Sequence, residues 1–326
     1  FLLPDGKHGN GEFSSTGGTI ALGDNGLSLF MQGKKVMNSD SGVAEVLIPS
    51  LVKSTSVADL NTAQIVQDFT KLMENSNTGN IQNNDEYRGL YSYKGELIAS
   101  TMKMYDGNAT NTHFLLSVAN SKDMKNSEVK GFVGIEGNAK ASGWFSPVPL
   151  AWQTKLGCKH LIGNSSGFSI NSRLSIGPSA YCLELDDVLN ATSESTVSTN
   201  KLMEFPFENQ MLTNSDPKWN LSNTVDGELG LPFEPQGNDI WTFLSRAGYG
   251  FIIPGTRTYA VFGTSGGHNS GIGYKIMQDG KDVKCAGYCS KDPSDWSNYV
   301  WFFNVDDFVL VLEGKKEASD IKPYSY

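Results

Sequence analysis

The fold is decided by three short stretches in a fixed order: Ser15-Thr-Gly-Gly-Thr-Ile-Ala-Leu-Gly23, Leu27-Ser-Leu-Phe-Met-Gln-Gly33 and Val43-Ala-Glu-Val-Leu-Ile-Pro49. The first is rich in glycine, the second is apolar and closed by glycine, and the third runs into a proline. Short apolar runs rich in β-branched and aromatic residues, bounded by Gly, Asn, Asp and Pro, are typical of β-strands. The trio therefore predicts a small β-sheet.

The same trio recurs three more times along the 326 residues. A unit of several strands repeated along one chain indicates a radial β-architecture. We therefore predict an all-β propeller with four visible blades, and a fifth if a C-terminal blade lies beyond Tyr326. The blade-like units fall at about 13–75, 85–135, 140–200 and 240–326, within one domain spanning 1–326. The later trios are Tyr87–Tyr93, Gly95–Ser100 and His113–Val118; Gly143–Pro147, Lys159–Gly163 and Ser179–Asp187; and Ala247–Pro254, Thr258–Gly263 and Tyr299–Asp307.

Helical signal is sparse. The apolar spacing in Thr62–Met73 fits either one amphipathic helix or an outer strand. Leu185–Leu189 and Val305–Val309 each follow a predicted strand and contain an Asp-Asp pair, so we predict two short turns capped by aspartate.

A series of further motifs follows in one order: Gly89-Leu-Tyr-Ser-Tyr-Lys-Gly-Glu-Leu97, Thr112-His-Phe114, Pro149-Leu-Ala-Trp-Gln153, Arg173-Leu-Ser-Ile-Gly-Pro-Ser179 and Asp320-Ile-Lys-Pro-Tyr324. Together with the first trio, this order resembles a family of largely uncharacterised bacterial extracellular β-propeller proteins. The resemblance covers most of the chain and implies the propeller fold. It implies no reaction, because the family has none to transfer. Members of the family usually continue past the Pro-Tyr step into another blade, which is why a fifth blade is considered.

Composition excludes several classes of partner. The net charge is -9 and the acidic residues are scattered, whereas a nucleic-acid binder would present a basic stripe. The sequence contains no stretch of about 18 apolar residues, so it predicts no membrane span. The Gly-rich loop Gly266-Gly-His-Asn-Ser-Gly271 lacks the lysine and the strand–loop–helix context of a phosphate cradle. We therefore predict no cofactor.

The four cysteines suggest two disulfides. Cys285 and Cys289 share a short Gly-containing loop, and a hairpin would bring Cys158 next to Cys182. An even cysteine count with this spacing favours an oxidising, extracellular or cell-surface setting, including a virion surface. The alternatives are buried free thiols or a zinc site. We predict no metal, because the ligand set lacks a second tight pair and an adjacent histidine.

Arginine is rare and falls in or beside predicted inner strands, which line the axial channel of a propeller. Arg88, Arg173 and Arg246 come from different repeats, and a guanidinium fork suits carboxylate or sulfate. These three residues therefore predict an anionic ligand site. The alternative is that each arginine pairs with a neighbouring Asp or Glu between blades.

His113 is the weaker candidate for chemistry. It follows the polar loop 104–112, which contains Tyr105. A histidine and a tyrosine near an arginine cluster suit β-elimination of a uronate, as base and acid. The alternative is a structural histidine at the start of a strand.

Two functions follow from these observations. The first is an extracellular binding or structural module on a cell surface, filament or virion, recognising an anionic glycan or a protein. The second is a carbohydrate-active enzyme, a polysaccharide lyase or a glycosidase, acting on anionic polysaccharide. No sharp catalytic constellation is evident in the sequence, so the first function is favoured.

Overall fold

The predicted fold class is confirmed: the chain is mostly strands with few helices, and four antiparallel sheets form a four-bladed β-propeller. The computed structural model describes residues 1–13, 20–33, 40–74, 86–102, 115–135, 143–163, 179–204, 233–234, 242–268, 275–278, 281–283 and 296–324. Within this part of the chain, no helix is long and apolar enough to cross a membrane.

The elements are given in chain order. The strands are β1 (Lys7–His8), β2 (Gly11–Glu12), β3 (Ile20–Leu22), β4 (Ser28–Gln32), β5 (Asp40–Ser41), β6 (Val43–Leu47), β7 (Gln64–Asp68), β8 (Glu86–Tyr93), β9 (Glu96–Met102), β10 (Leu115–Val118), β11 (Val129–Ile135), β12 (Phe145–Pro147), β13 (His160–Ile162), β14 (Ser179–Leu183), β15 (Thr196–Val197), β16 (Asn200–Glu204), β17 (Phe233–Glu234), β18 (Thr242–Ile252), β19 (Thr258–His268), β20 (Lys275–Gln278), β21 (Lys281–Val283) and β22 (Trp296–Asn304). The α-helices are α1 (Thr70–Glu74), α2 (Leu150–Leu156), α3 (Leu185–Asn190) and α4 (Val305–Leu312).

The strand orders of the sheets define the four blades. Blade 1 has the strand order β3-β4-β6-β7, blade 2 has β8-β9-β10-β11, blade 3 has β12-β13-β14-β16, and blade 4 has β18-β19-β22. Strand β15 extends blade 2 by parallel pairing with β11. Two smaller sheets have the orders β1-β2-β5 and β17-β20-β21. The chain divides into two compact units, the first built on blades 1 and 2 and the second on blades 3 and 4.

Blade 1 buries both faces of its sheet, because apolar residues on adjacent strands pair in register. On one face, Ala21 and Phe30 join Leu90 and Leu97 of blade 2 in a single buried cluster. On the other face, Met31 and its neighbours pack beside the N-terminal segment; this cluster consists of Phe13, Met31, Ala44, Val46 and Ala63. Burial of these side chains from water is the main source of the sheet's stability.

The segment Thr62–Met73, predicted as either a helix or an outer strand, contains one of each. Gln64–Asp68 is the outer strand β7, and Thr70–Glu74 is a short helix, α1. The Asp68 carboxylate accepts from the backbone N–H of Thr70 at 2.9 Å, which satisfies a donor at the start of the helix. The outer-strand interpretation is therefore confirmed for the first half of the segment.

The two Asp-Asp segments are helices, which corrects the prediction of turns capped by aspartate. Leu185–Asn190 and Val305–Leu312 form α3 and α4. The cap of α4 is Asn304, whose side-chain oxygen accepts from the backbone N–H of Asp306 at 3.0 Å. The Asp-Asp pairs lie in the first turn of each helix, where the helix dipole favours negative charge.

Blades 3 and 4 are joined through α2. The helix begins after Pro149 and ends at Gly157, which adopts the left-handed conformation with φ 69°. Trp152 on this helix is buried, and its indole N–H donates to the carbonyl of Thr256 at 3.1 Å. Its burial and this bond explain the Pro-x-x-Trp-Gln motif as a structural feature.

A disulfide links Cys158 to Cys182, as predicted. Cys158 follows the C-terminus of α2 and Cys182 lies in β14, with their Cα atoms 5.7 Å apart. Both residues are buried. The predicted pair Cys285 and Cys289 lies outside the described residues.

Candidate functional site

The predicted ligand-binding arginines are only partly placed. Arg88 lies in β8, where Tyr87 pairs with Thr101 and Gly89 with Ser100, so Arg88 occupies a β-bulge. Arg246 lies in β18, paired with Thr264 of β19. Both strands are at the edge of their sheet. The side chains of these two arginines, and all of Arg173, lie outside the described part of the chain, so their convergence stays a prediction.

Two further predicted residues, His113 and Tyr105, also lie outside the described residues. The fourth arginine of the chain is described. Arg257 lies between β18 and β19 and pairs with Asp306 through a contact of 3.1 Å at the protein surface. Both residues adjoin strands of blade 4, so this ion pair does not test pairing between blades.

The backbone beside Arg88 is crowded. A Cβ atom at Gly89 would lie 1.9 Å from the carbonyl oxygen of Gly143. The hydroxyl of Ser100 donates to this same carbonyl at 2.7 Å. Only glycine fits where two backbones approach this closely. Because Gly89 is held against Gly143, the preceding residue, Arg88, has a fixed position along β8.

A polar pocket lies where the strand ends of blade 1 meet a loop of blade 2. Its volume is about 420 Å³, within the range of small-molecule sites. We call it the blade 1–2 pocket, and it is lined by Asp24, Asn25, Glu45, Val66, Gln67, Ser121 and Lys122. The first two come from the β3–β4 turn, the next three from β6 and β7, and the last two from the loop after β10.

Gln67 organises this pocket. The backbone N–H of Met124 donates to Gln67 Oε1 at 2.7 Å, which fixes the orientation of the amide because a backbone N–H is only a donor. Gln67 Nε2 must then face the other way. It donates to Glu45 Oε2 at 2.5 Å and to the carbonyl of Ser121 at 3.0 Å. One side chain thereby ties blade 1 to the loop of blade 2.

Glu45 is held at its other oxygen as well. Ser28 Oγ lies 2.5 Å from Glu45 Oε1 and 3.3 Å from Asn25 Oδ1. The single hydroxyl proton goes to the nearer carboxylate oxygen. Asn25 Oδ1 also accepts from the backbone N–H of Leu27 at 2.8 Å, which closes the β3–β4 turn. The Glu45 carboxylate therefore has a fixed position within the pocket.

Asp24 lines the same pocket and contacts blade 2. Its carboxylate accepts from Ser92 Oγ of blade 2 at 2.5 Å. Among the described residues of the lining, Lys122 is the one cationic side chain, and Val66 supplies an apolar wall. The pocket thus offers anionic and amide acceptors, one ammonium donor and one aliphatic surface. This combination suits a ligand rich in hydroxyl groups, because a hydroxyl both donates and accepts.

Another carboxylate, Glu96 on blade 2, is held by an ion pair: it bonds to Ser117 Oγ and, at 2.7 Å, to Lys130 Nζ. Glu45 was inside the quoted stretch Val43–Pro49 but was not singled out. The available signal was a single acidic residue interrupting an apolar strand.

A second cavity, of about 690 Å³, lies between the N-terminal segment and β7. Aliphatic residues such as Leu2, Leu3 and Ile65 make up much of its lining. It has fewer convergent polar side chains than the blade 1–2 pocket, and such groups are what orient a ligand. Among the described residues, no group of three or more His, Cys, Asp or Glu is placed to hold a metal ion.

No known protein family, curated protein or solved structure matches this chain.

Proposed function

We propose that this chain is an extracellular binding module that recognises a glycan at the blade 1–2 pocket. The observation that carries the proposal is the fixed Glu45 carboxylate, held by Ser28 on one oxygen and by Gln67 on the other. Each carboxylate oxygen has further lone-pair capacity, so Glu45 keeps acceptor sites for a ligand. Because the polar side chains of the pocket are already held in place, little free energy is lost in ordering them when a ligand binds.

The chemistry of the lining supports a sugar. Vicinal hydroxyls of a sugar ring are well matched by carboxylate and amide groups that lie side by side. Asp24, Asn25 and Glu45 are such groups, and Lys122 adds a donor. The aliphatic surface of Val66 suits the C–H face of a sugar ring.

The same contacts favour binding over glycoside hydrolysis. A glycosidase needs one carboxylic acid that carries a proton for the leaving group and a second carboxylate on the other side of the bond. Glu45 accepts from Gln67 Nε2 at Oε2 and from Ser28 Oγ at Oε1, so both of its oxygens are acceptors. Glu45 is therefore arranged as an acceptor rather than a proton donor.

The proposed extracellular setting is supported by the disulfide between Cys158 and Cys182. Structural disulfides persist in oxidising compartments and are rare in the cytosol. The preference for an anionic glycan depends on Arg88, Arg173 and Arg246, and it is part of the proposal to be tested separately. Each guanidinium contact to a carboxylate or sulfate is expected to contribute about 1.5–3 kcal/mol before desolvation.

The experiment is a glycan-array screen of the intact chain, followed by calorimetric titration of the strongest ligand. We expect Glu45→Gln and Asp24→Asn each to weaken binding by about tenfold, since each removes a charged acceptor. Glu313→Gln is the control, because Glu313 is an exposed residue that pairs with Lys315 after α4. Equal affinity of all variants would reject the pocket as the binding site. No binding to any glycan would reject the proposed function.

A further inference from the structure

Blade 4 has fewer strands than the other blades. Among the described residues, blades 1 and 3 each have four strands and blade 2 has five with β15, whereas blade 4 has β18, β19 and β22. Strand β22 is therefore an edge strand. Its nine residues make it longer than β7, β15 and β16, which end the other blades. An edge strand presents backbone donors and acceptors that can pair with another strand.

The register of blade 4 shows which backbone groups of β22 face outward. The backbone N–H of Val305 donates to the carbonyl of Arg257 at 2.8 Å, so these two residues form a hydrogen-bonded pair. Bonded and non-bonded pairs alternate along an antiparallel ladder. Val300 and Phe302 therefore occupy non-bonded positions opposite β19. Their backbone N–H and C=O groups point away from the sheet.

The C-terminal segment covers this edge at one point. The backbone N–H of Tyr324 donates to the carbonyl of Phe302 at 2.8 Å. Among the described residues, none bonds to the outward side of Val300. The open part of the edge therefore runs from Trp296 to Val300, and by the same alternation the backbone of Asn298, at its centre, also faces outward.

The sequence of β22 lacks the features that protect an edge strand. Trp296-Ser-Asn-Tyr-Val-Trp-Phe-Phe-Asn304 contains no charged residue and no proline. By contrast, β7 contains Asp68, and β16 contains Lys201 and Glu204. Charged residues and prolines on an edge strand prevent it from pairing with another chain. Their absence from β22 favours such pairing.

An apolar row lies beside the open edge. Val300 and Phe262 pair directly across β22 and β19, so they lie on one face of the sheet, and they are 38% and 44% exposed. The ring of Phe251 stacks on that of Phe262, with centroids 5.9 Å apart. A further strand beside β22 would cover Val300 and extend this row, and the burial of apolar surface would stabilise the pairing.

The charges near β22 allow the further strand to come from a second copy of the chain. Asp306 pairs with Arg257 at 3.1 Å, and Asp307 pairs with Lys316 at 2.9 Å. The first acidic residues after β22 are therefore neutralised within the same chain. Although the net charge is -9, two copies that meet at this edge do not bring unpaired carboxylates of α4 together.

We infer that two copies of the chain form a dimer by antiparallel pairing of β22 with β22, about a two-fold axis near Asn298. A two-fold axis brings the same surface of both copies into contact, so each open edge meets its own complementary donors and acceptors. The pairing joins the two copies of blade 4 into one continuous sheet. This interaction is separate from glycan recognition, because no residue of blade 4 lines the blade 1–2 pocket.

Sedimentation velocity of the intact chain over a wide range of concentration tests the inference. We expect a concentration-dependent equilibrium between monomer and dimer. Val300→Lys places a charge on the open edge and should weaken the dimer by at least about tenfold. Leu150→Lys is the control, because it adds the same charge at an exposed position on α2 of blade 3. A monomer at every concentration, or a dimer that Val300→Lys leaves unchanged, would overturn the inference.

Hydrogen exchange of the unmodified chain locates the contact without a substitution, and decides the matter even if Val300→Lys fails to fold. Peptides covering Trp296–Val300 should exchange more slowly at high than at low protein concentration, because their outward N–H groups become bonded in the dimer. Peptides from β7, the edge strand of blade 1, should exchange equally at both concentrations. Equal exchange of the β22 peptides in a sample that does dimerise would show that another surface is used.

Discussion

The side-chain amide of Gln67 donates to the carboxylate of Glu45 at 2.5 Å, and the backbone N–H of Met124 prevents the amide from turning over. The two residues face each other across β6 and β7, in direct register. Because the same amide also reaches the carbonyl of Ser121, it joins the sheet of blade 1 to the loop of blade 2. The proposed glycan site is built around this contact.

Replacing Gln67 by glutamate should destabilise the fold. The change sets a second carboxylate against Glu45 and a carboxylate oxygen against the carbonyl of Ser121. We expect a loss of about 1–3 kcal/mol in the free energy of unfolding at neutral pH.

Urea unfolding at neutral pH measures this effect. Gln64→Glu on the same strand is the control, since Gln64 is exposed, and it should change stability by less than about 0.5 kcal/mol. If Gln67→Glu is as stable as the unmodified chain at neutral pH, the bridging role of Gln67 is wrong.

Gly89→Ala should also destabilise the protein, for a steric reason. The new methyl group would lie 1.9 Å from the carbonyl oxygen of Gly143, and both atoms are fixed by backbone. Relief requires one backbone to move, which typically costs about 1–3 kcal/mol. Gly95→Ala is a useful comparison because Gly95 has φ +82° and open space around it, so strain alone should cost about 1–2 kcal/mol.

Thermal unfolding followed by circular dichroism compares these two glycine variants. The expected order is a lower Tm for Gly89→Ala than for Gly95→Ala. The reverse order would mean that the backbone near Gly143 yields easily to an added methyl group.

Removing the disulfide should lower stability through the unfolded state. Cys158 and Cys182 are 24 residues apart. A disulfide that closes a loop of this length lowers the conformational entropy of the unfolded chain, so removing it should reduce the free energy of unfolding by about 3–4 kcal/mol. The variant with both Cys158→Ala and Cys182→Ala should therefore unfold at a lower urea concentration. Treating the unmodified chain with a reductant should give a similar shift. An unchanged midpoint in both cases would show that the disulfide adds no stability.

Two tyrosines, the buried Tyr259 and the partly buried Tyr249, predict loss of stability at alkaline pH. Burial raises the pKa of Tyr259 well above its usual value of 10.0, and the charge of Tyr249 raises it further. Burial also raises the pKa of Tyr249, partly offset by a hydrogen bond with Ser146. The unfolded chain releases these protons at a lower pH than the folded protein. Stability is therefore maintained below pH 10 and falls as the pH rises above it.

Tyr259→Phe should reduce this alkaline loss, because it removes the more strongly shifted group. Urea unfolding at several pH values above 9 measures the slope, with Tyr324→Phe, at a half-exposed position, as the control. The idea is rejected if both variants lose stability with the same slope as the unmodified chain.

The sequence was sufficient to predict the blades, because each predicted trio carries its own apolar pattern and turn residues. It was also sufficient for the Cys158–Cys182 pair, since both residues flank one predicted hairpin. It was not sufficient for the pocket. A β-bulge at Val66 keeps Ile65 beside Val46 and brings Gln67 opposite Glu45. Strict alternation would instead have placed Val66 there, and no local pattern marks the extra residue.

The short helices illustrate the same limit. An Asp-Asp pair after a strand is compatible with either a turn or a helical first turn, and a segment of six or eight residues has little periodicity to separate them. For α4, packing decides the outcome: Phe308 is buried, with its ring 5.2 Å from that of Tyr259. A contact between residues this far apart in the sequence cannot be predicted from local sequence patterns.

The most direct measurement of the central claim is a calorimetric titration of the strongest array ligand into matched variants. We expect the variant with both Glu45→Gln and Asp24→Asn to lose at least about tenfold in affinity, while Glu313→Gln keeps the affinity of the unmodified chain. The same ligand, titrated into Arg88→Ala, Arg173→Ala and Arg246→Ala, then shows whether an anionic group is recognised by those residues. Unchanged affinity in the Glu45 and Asp24 double variant would contradict the account.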